Sequence, residues 1–163
     1  MAATGLNHVS VHAVDMEESL RFYTEVLGLE RIPSPNFAFP VEWMRCGELQ
    51  VHLFQREEGT QAPPYHHFGL TIDDFEGVYQ RTRALGVQDP VPFFSNVYEL
   101  ADGSVQMYVR DPSGNLIELD YPYADRIDRS VVTDIRKLDD DVPQTGEALQ
   151  ATLFLELRAA AGD

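Results

Sequence analysis

LNHVSVHAVDMEESLRFYTEVLG, from Leu6 to Gly28, is answered later in the chain by HHFGLTIDDFEGVYQRTRALG, from His66 to Gly86. An internal repeat of this size means one supersecondary unit built twice. In each copy a histidine stands seven residues ahead of an aspartate, His8 before Asp15 and His67 before Asp74, and the helical stretch that follows stops at a glycine. Asp15 with Glu18 reads as a capping box, and Gly28 and Gly86 stand where a helix needs a residue tolerant of positive φ. Each copy therefore opens as strand, cap, helix and stop.

Beyond each helix the apolar period falls to two. This predicts strands near Leu29 to Ile32, Val41 to Cys46 and Leu49 to Gln55, then near Pro92 to Phe94, Ser104 to Arg110 and Leu116 to Tyr121. Turn chemistry at Arg45-Cys46-Gly47-Glu48 and Asp111-Pro112-Ser113-Gly114 separates the last two strands of each copy. The expected fold is α+β, made of two βαβββ modules over residues 1–64 and 65–123, with Pro63 and Pro64 in the polar stretch between them. A charged C-terminal appendage covers 124–163, where Leu149, Leu153 and Leu157 share one helical face. It is expected to be partly helical, a partly disordered tail being the alternative.

Composition excludes several partners. With 27 acidic against 12 basic side chains the formal charge is -15, a field that repels phosphate backbones and anionic headgroups. Nucleic acid and membrane surfaces are therefore not expected partners. No apolar run approaches the roughly 20 residues that span a bilayer. The lone Cys46 makes no internal disulfide, and no basic region followed by an apolar core opens the sequence, so the expected location is the cytoplasm.

Strand parity sorts the side chains further, because successive residues point to opposite faces. Val9, Val11, Leu49, Val51, Leu53, Phe68, Leu70, Ile72, Ile117, Leu119 and Tyr121 form the apolar faces that the helices should cover. The other parity is polar, with His8, Ser10 and His12 on the first strand, Gln50 and His52 on the fourth, His67 and Thr71 on the fifth, and Glu118 and Asp120 on the eighth. A polar sheet face that simply meets water is the alternative. Yet His8 and His67 occupy equivalent repeat positions, and His52 and Glu118 nearly equivalent ones, each just after the turn of the last hairpin. Imidazoles with one carboxylate suit Zn, Ni, Co, Mn or Fe(II), so the pattern points to one divalent metal ion held among His8, His52, His67 and Glu118.

The stretches LNHVSVHAVDMEESLRFYTEVLGL, LQVHLFQ, HHFGLTIDD and YVRDPSGNLIEL together resemble the vicinal oxygen chelate superfamily over about Leu6 to Tyr121. That superfamily includes glyoxalase I, bleomycin resistance proteins, fosfomycin resistance enzymes, methylmalonyl-CoA epimerase and extradiol dioxygenases. The resemblance implies sheets curved around a metal-binding cavity, a homodimer, and ligands from the first and last strands of each module, which fall here on His8, His52, His67 and Glu118. It also implies a small oxygen-bearing substrate whose adjacent oxygens chelate a metal that stabilises an enolate or alkoxide, as in an isomerase or lyase. An Fe(II) extradiol-type dioxygenase is the alternative, and a non-enzymatic drug or metabolite binder the third reading. Two departures bear on these choices. Glyoxalase I usually has a carboxylate at His52 and a glutathione-holding arginine at His12. The extradiol spacing of Met107-Tyr108, Asp111-Pro112, Gly114 and Glu118 is present, but its upstream histidine is missing where Glu99, Leu100 and Ala101 stand.

The catalytic candidates are Glu118, His52 and Tyr108, and the substrate-binding candidates are His12, Arg110 and Trp43. By parity Tyr108 and Arg110 line the cavity as proton donor and anion clamp, or serve as a rim aromatic and a surface ion pair. Trp43, Phe37 and Phe39 wall an apolar pocket or belong to the core.

Overall fold

In the computed structural model, which describes residues 3, 5–60, 63 and 65–155, the chain is α+β. The strands are β1 (His8–Ala13), β2 (Glu30–Ile32), β3 (Val41–Cys46), β4 (Leu49–Gln55), β5 (His67–Thr71), β6 (Val97–Glu99), β7 (Val105–Arg110), β8 (Leu116–Tyr121) and β9 (Ile135–Lys137), and the helices are α1 (Met16–Arg21), α2 (Phe75–Leu85) and α3 (Leu138–Asp141). One sheet runs β1-β4-β3-β2 and the other β5-β8-β7-β6-β9. The βαβββ order thus occurs twice, and the appendage contributes one more strand.

By packing, the chain divides into two units, Met1–Phe68 with Arg110–Ile117, and Gly69–Val109 with Glu118–Asp163. In the first, the Asp15 carboxylate accepts the Glu18 N–H at 2.9 Å, as the capping pattern requires. The helix passes into a π-helical turn over Phe22–Val26. Phe22, Tyr23 and Val26 are buried with Val11, Ala13, Met44, Val51 and Leu53, so strand parity is obeyed; on the other face His8, Ser10 and His12 are exposed while His52 is buried. Leu49, at the first position of β4, is the exception and lies exposed.

A second feature of this unit was not legible as a contact. Asp111 folds its carboxylate back into its own turn, accepting the N–H of Ser113 at 2.9 Å and of Asn115 at 2.8 Å. Its other oxygen accepts the Tyr23 hydroxyl at 2.9 Å and the Asn115 amide at 2.7 Å. Ser113 Oγ accepts the N–H of Val14 at 2.8 Å, and Asn115 donates to the His12 carbonyl at 2.8 Å. The turn therefore locks onto β1 and the α1 segment. Gly59 is required beside it, since a Cβ there would lie 2.7 Å from the Ser113 carbonyl oxygen.

In the second unit α2 is capped by Asp74 at its start and by Gly86, at φ 65°, at its end. The strand expected at Pro92 to Phe94 lies instead at Val97–Glu99. Pro90 and Pro92 lack ladder donors, and the backbone curls on itself: Ser95 N–H donates to Val91 at 2.9 Å and the Asn96 amide to Pro92 at 2.7 Å. The appendage is not solvated over its first half. β9 pairs in parallel with β6, Ile127 and Val132 are buried, and Asp134 accepts the Tyr79 hydroxyl at 3.0 Å while pairing with Arg83. Asp134→Ala is expected to lower stability by about 1 kcal/mol, measured by urea denaturation; an unchanged midpoint would mean the appendage does not brace α2. The leucine face does not form as expected. Leu149 sits in a 3-10 turn and Leu153 in irregular chain, both exposed, because Gly146 at positive φ and the short turn leave no continuous helix there; Leu157 lies outside the described residues. Among the described residues no helix is long and apolar enough to cross a membrane.

Candidate metal and substrate site

The register of the first sheet places His52 opposite Ser10 of β1 and opposite Trp43 of β3. Directly paired residues share a face at close range, so the indole lies flat on the imidazole, with ring centroids 4.3 Å apart and planes 4° from parallel. His8 also stacks on His52, at 4.4 Å and 16°. The Nε2–H of His52 donates to Gln50 Oε1 at 2.8 Å, and that of His8 Nδ1 to Asn7 Oδ1 at 2.5 Å. These bonds orient the two rings and leave Nδ1 of His52 and Nε2 of His8 as lone-pair nitrogens. Burial, then the charge of His8, holds His52 below the ordinary imidazole range, and the neutral ring is the form that ligates a metal. A hollow of about 480 Å³ opens here, with Phe37, Phe54 and Trp43 on its wall.

His12 and His67 meet elsewhere. They line, with Ser10, His66 and Asn115, a second hollow of about 330 Å³ in the same unit. His67 Nδ1–H donates to the Tyr65 carbonyl at 2.7 Å, an orienting bond of the kind metal-ligating histidines make.

Glu118 belongs to the second unit and is buried on β8 with Asp120. Burial, then the Glu118 charge and a hydrogen bond to it, pushes Asp120 up to about 8. Asp120 Oδ1 is buried with no hydrogen-bond partner. Tyr108 adjoins the pair: burial, then Glu118, raises its phenol, which stays protonated and hydrogen-bonds to Glu118. Its ring is buried against Phe94 at 4.7 Å. Two neighbouring buried carboxyls, one with an unpartnered oxygen, are what a cation would satisfy.

The structure thus brings together His8, His52 and Trp43, then His12 and His67, and then Glu118 and Tyr108. Among the described residues no three His, Cys, Asp or Glu side chains converge as a ready metal cluster. Arg110 donates to the Gly114 carbonyl at 2.6 Å, so at least one of its N–H groups serves the turn. Asp120 was visible by parity but carried no assigned role; its pairing with Glu118 follows from the i, i+2 spacing on one strand. Trp43 is half-buried, whereas Phe37 and Phe39 are not core, at 50% and 37% exposed.

A fold of two βαβββ modules carrying histidines and a carboxylate on these strands defines a glyoxalase-like protein. The model of the Glyoxalase/Bleomycin resistance protein/Dioxygenase superfamily matches residues 5–119, and the chain belongs to that superfamily. It is 32% identical over 120 residues, 70% of this chain and 78% of the relative, to glutathione transferase FosA of Serratia marcescens. To glyoxylase I 4 of Arabidopsis thaliana it is 26% identical over 127 residues, 71% of this chain and 70% of that one. The fold is shared with the fosfomycin resistance protein FosX of Listeria monocytogenes, solved with Mn(II) and sulfate, at a TM-score of 0.58 and 19% identity over 73% of this chain and 93% of that one.

Proposed function

We propose that this chain is a metal-dependent isomerase or lyase of the glyoxalase-like type, acting on a small molecule with adjacent oxygens. His8, His67 and Glu118 hold one divalent ion, with His52 as a further donor. The observation that supports this reading is the stacked His8–His52 pair, each ring oriented by an amide oxygen that leaves its other nitrogen as a lone pair. A bound divalent ion supplies Lewis acidity to adjacent substrate oxygens. Glu118 is the group that accepts a proton at its carboxylate, while Tyr108 and Asp120, both protonated at neutral pH, fix its orientation. His12 faces the substrate. The exposed open face of β1 supports a homodimer in which a second copy covers it, and the single Cys46 supports a cytoplasmic setting.

Metal analysis of protein purified without added metal tests this: about one equivalent of Zn, Ni, Co or Mn per chain is expected. His52→Ala should weaken metal affinity by roughly 10-fold, and turnover should proceed without oxygen. Parent-like affinity would make His52 a positioning residue. Stoichiometric iron with oxygen uptake on catechol-like substrates would replace the reading with a dioxygenase.

The likeness to glutathione transferase FosA favours a second reading, transfer of a thiol to a small oxygen-bearing electrophile. Thiol loss from glutathione with fosfomycin and Mn(II), absent in Glu118→Ala, would support it; no loss would leave the isomerase or lyase reading alone.

A further inference from the structure

The hollow of about 480 Å³ on the first sheet has a mixed lining: the aromatic rings of Phe37, Phe54 and Trp43, and the polar groups of His8, His52 and Gln50. Its apolar wall is built and not accidental. Phe54 follows His52 by two residues and so shares its face of the sheet. The β2–β3 loop folds Phe37 and Phe39 against Phe54, at 6.4 and 5.9 Å, and the two stack on each other at 6.0 Å. Arg56 covers Phe39 with its guanidinium 4.4 Å from the ring. Phe37 nevertheless keeps half its surface in water, an arrangement that stands out on a chain of net charge -15. The hollow lies within the range of small-molecule pockets. Flat rings held parallel at stacking distance, Trp43 on His52 on His8, present a slot edge suited to another flat ring.

We infer that this wall is the substrate's apolar subsite, and that the substrate carries a planar aromatic ring next to its adjacent oxygens: ring against Phe37, Phe54 and Trp43, oxygens towards His8 and His52. A small aliphatic substrate would leave the wall wet. The inference rests on the proposed site for the oxygens, but ring binding is separable from metal binding.

Trp43 is the chain's single tryptophan, so its fluorescence reports this hollow directly. The full-length protein, dialysed against chelator, is titrated with 1-phenylethane-1,2-diol and with propane-1,2-diol, neutral compounds that differ only in phenyl against methyl. A saturable change with the phenyl compound, at least about 10-fold tighter than with the methyl one, is expected from the area a phenyl buries. Phe37→Ala, at a half-exposed position, should lose most of that preference at an unchanged melting temperature, and Phe37→Tyr should keep it. Equal affinity for the two diols overturns the inference. So does ring-independent behaviour in which Phe37→Ala instead abolishes concentration-dependent dimerisation in sedimentation, which would assign the wall to a second copy. Mn(II) titration run in parallel separates the two readings. Phenyl preference without Mn(II) binding would sink the metal site and leave the aromatic subsite standing; Mn(II) binding without phenyl preference would do the reverse.

Discussion

Asp111→Ala is expected to lower the free energy of unfolding by about 3–5 kcal/mol, measured by urea denaturation. The carboxylate serves four donors, the Ser113 and Asn115 backbone N–H groups, the Asn115 amide and the Tyr23 hydroxyl. Burial raises the Asp111 carboxyl above its ordinary range, and the hydrogen bonds from Asn115, Tyr23 and Ser113 oppose that rise by favouring the charged form. Truncation leaves the donors buried without an acceptor, and each carries the full desolvation penalty. The loss also loosens the turn that Ser113 and Asn115 fasten to Val14 and His12. Tyr23→Phe should cost less, about 1–2 kcal/mol, since Asn115 still reaches the same oxygen. The double variant should be sub-additive by about 1 kcal/mol or more. A loss below about 1 kcal/mol for Asp111→Ala would show that water replaces the carboxylate and that the turn is not a structural lock.

Glu118→Ala is expected to abolish stoichiometric metal binding, with affinity down by roughly 100-fold or more. Glu118 is the one charged donor of the proposed set, and its removal takes away the formal negative charge that offsets the cation. In the intact protein burial and the Glu118 charge keep the Asp120 proton on at neutral pH, so Asp120 adds no second negative charge to the set. Glu118→Gln preserves the hydrogen bond with Tyr108 and the volume but not the charge, so it should bind metal nearly as poorly. His67→Ala should also fail to hold a full equivalent. Calorimetric titration with Mn(II) reads both. Full occupancy in either variant would dissolve the site, and retention in Glu118→Ala alone would move the carboxylate ligand elsewhere.

Much of the fold was open to reading because local rules and the global fold agree. The histidine-to-aspartate spacing, the caps at Asp15 and Asp74 and the stops at Gly28 and Gly86 are all local signals, and all appear as helix ends. The misreadings came where local and tertiary effects part. Pro92 to Phe94 has strand composition, but two prolines and side-chain hydrogen bonds to the backbone turn it into a loop, and the ladder begins at Val97. Leu149 and Leu153 have helical spacing, but spacing does not form a helix without a partner surface to bury it.

From the sequence alone came the α+β class, the two modules, and the strand faces that carry His8, His52, His67 and Glu118, because period and capping are properties of a few neighbouring residues. Only the tertiary structure decided which of these side chains meet. The register of β1, β4 and β3 stacked His8, His52 and Trp43, and the loop between β2 and β3 set Phe37 against Phe54. Packing joined Tyr23 to Asp111 across 88 positions. Such contacts depend on loop closure and on buried polar groups finding partners far along the chain, and no local pattern encodes the choice.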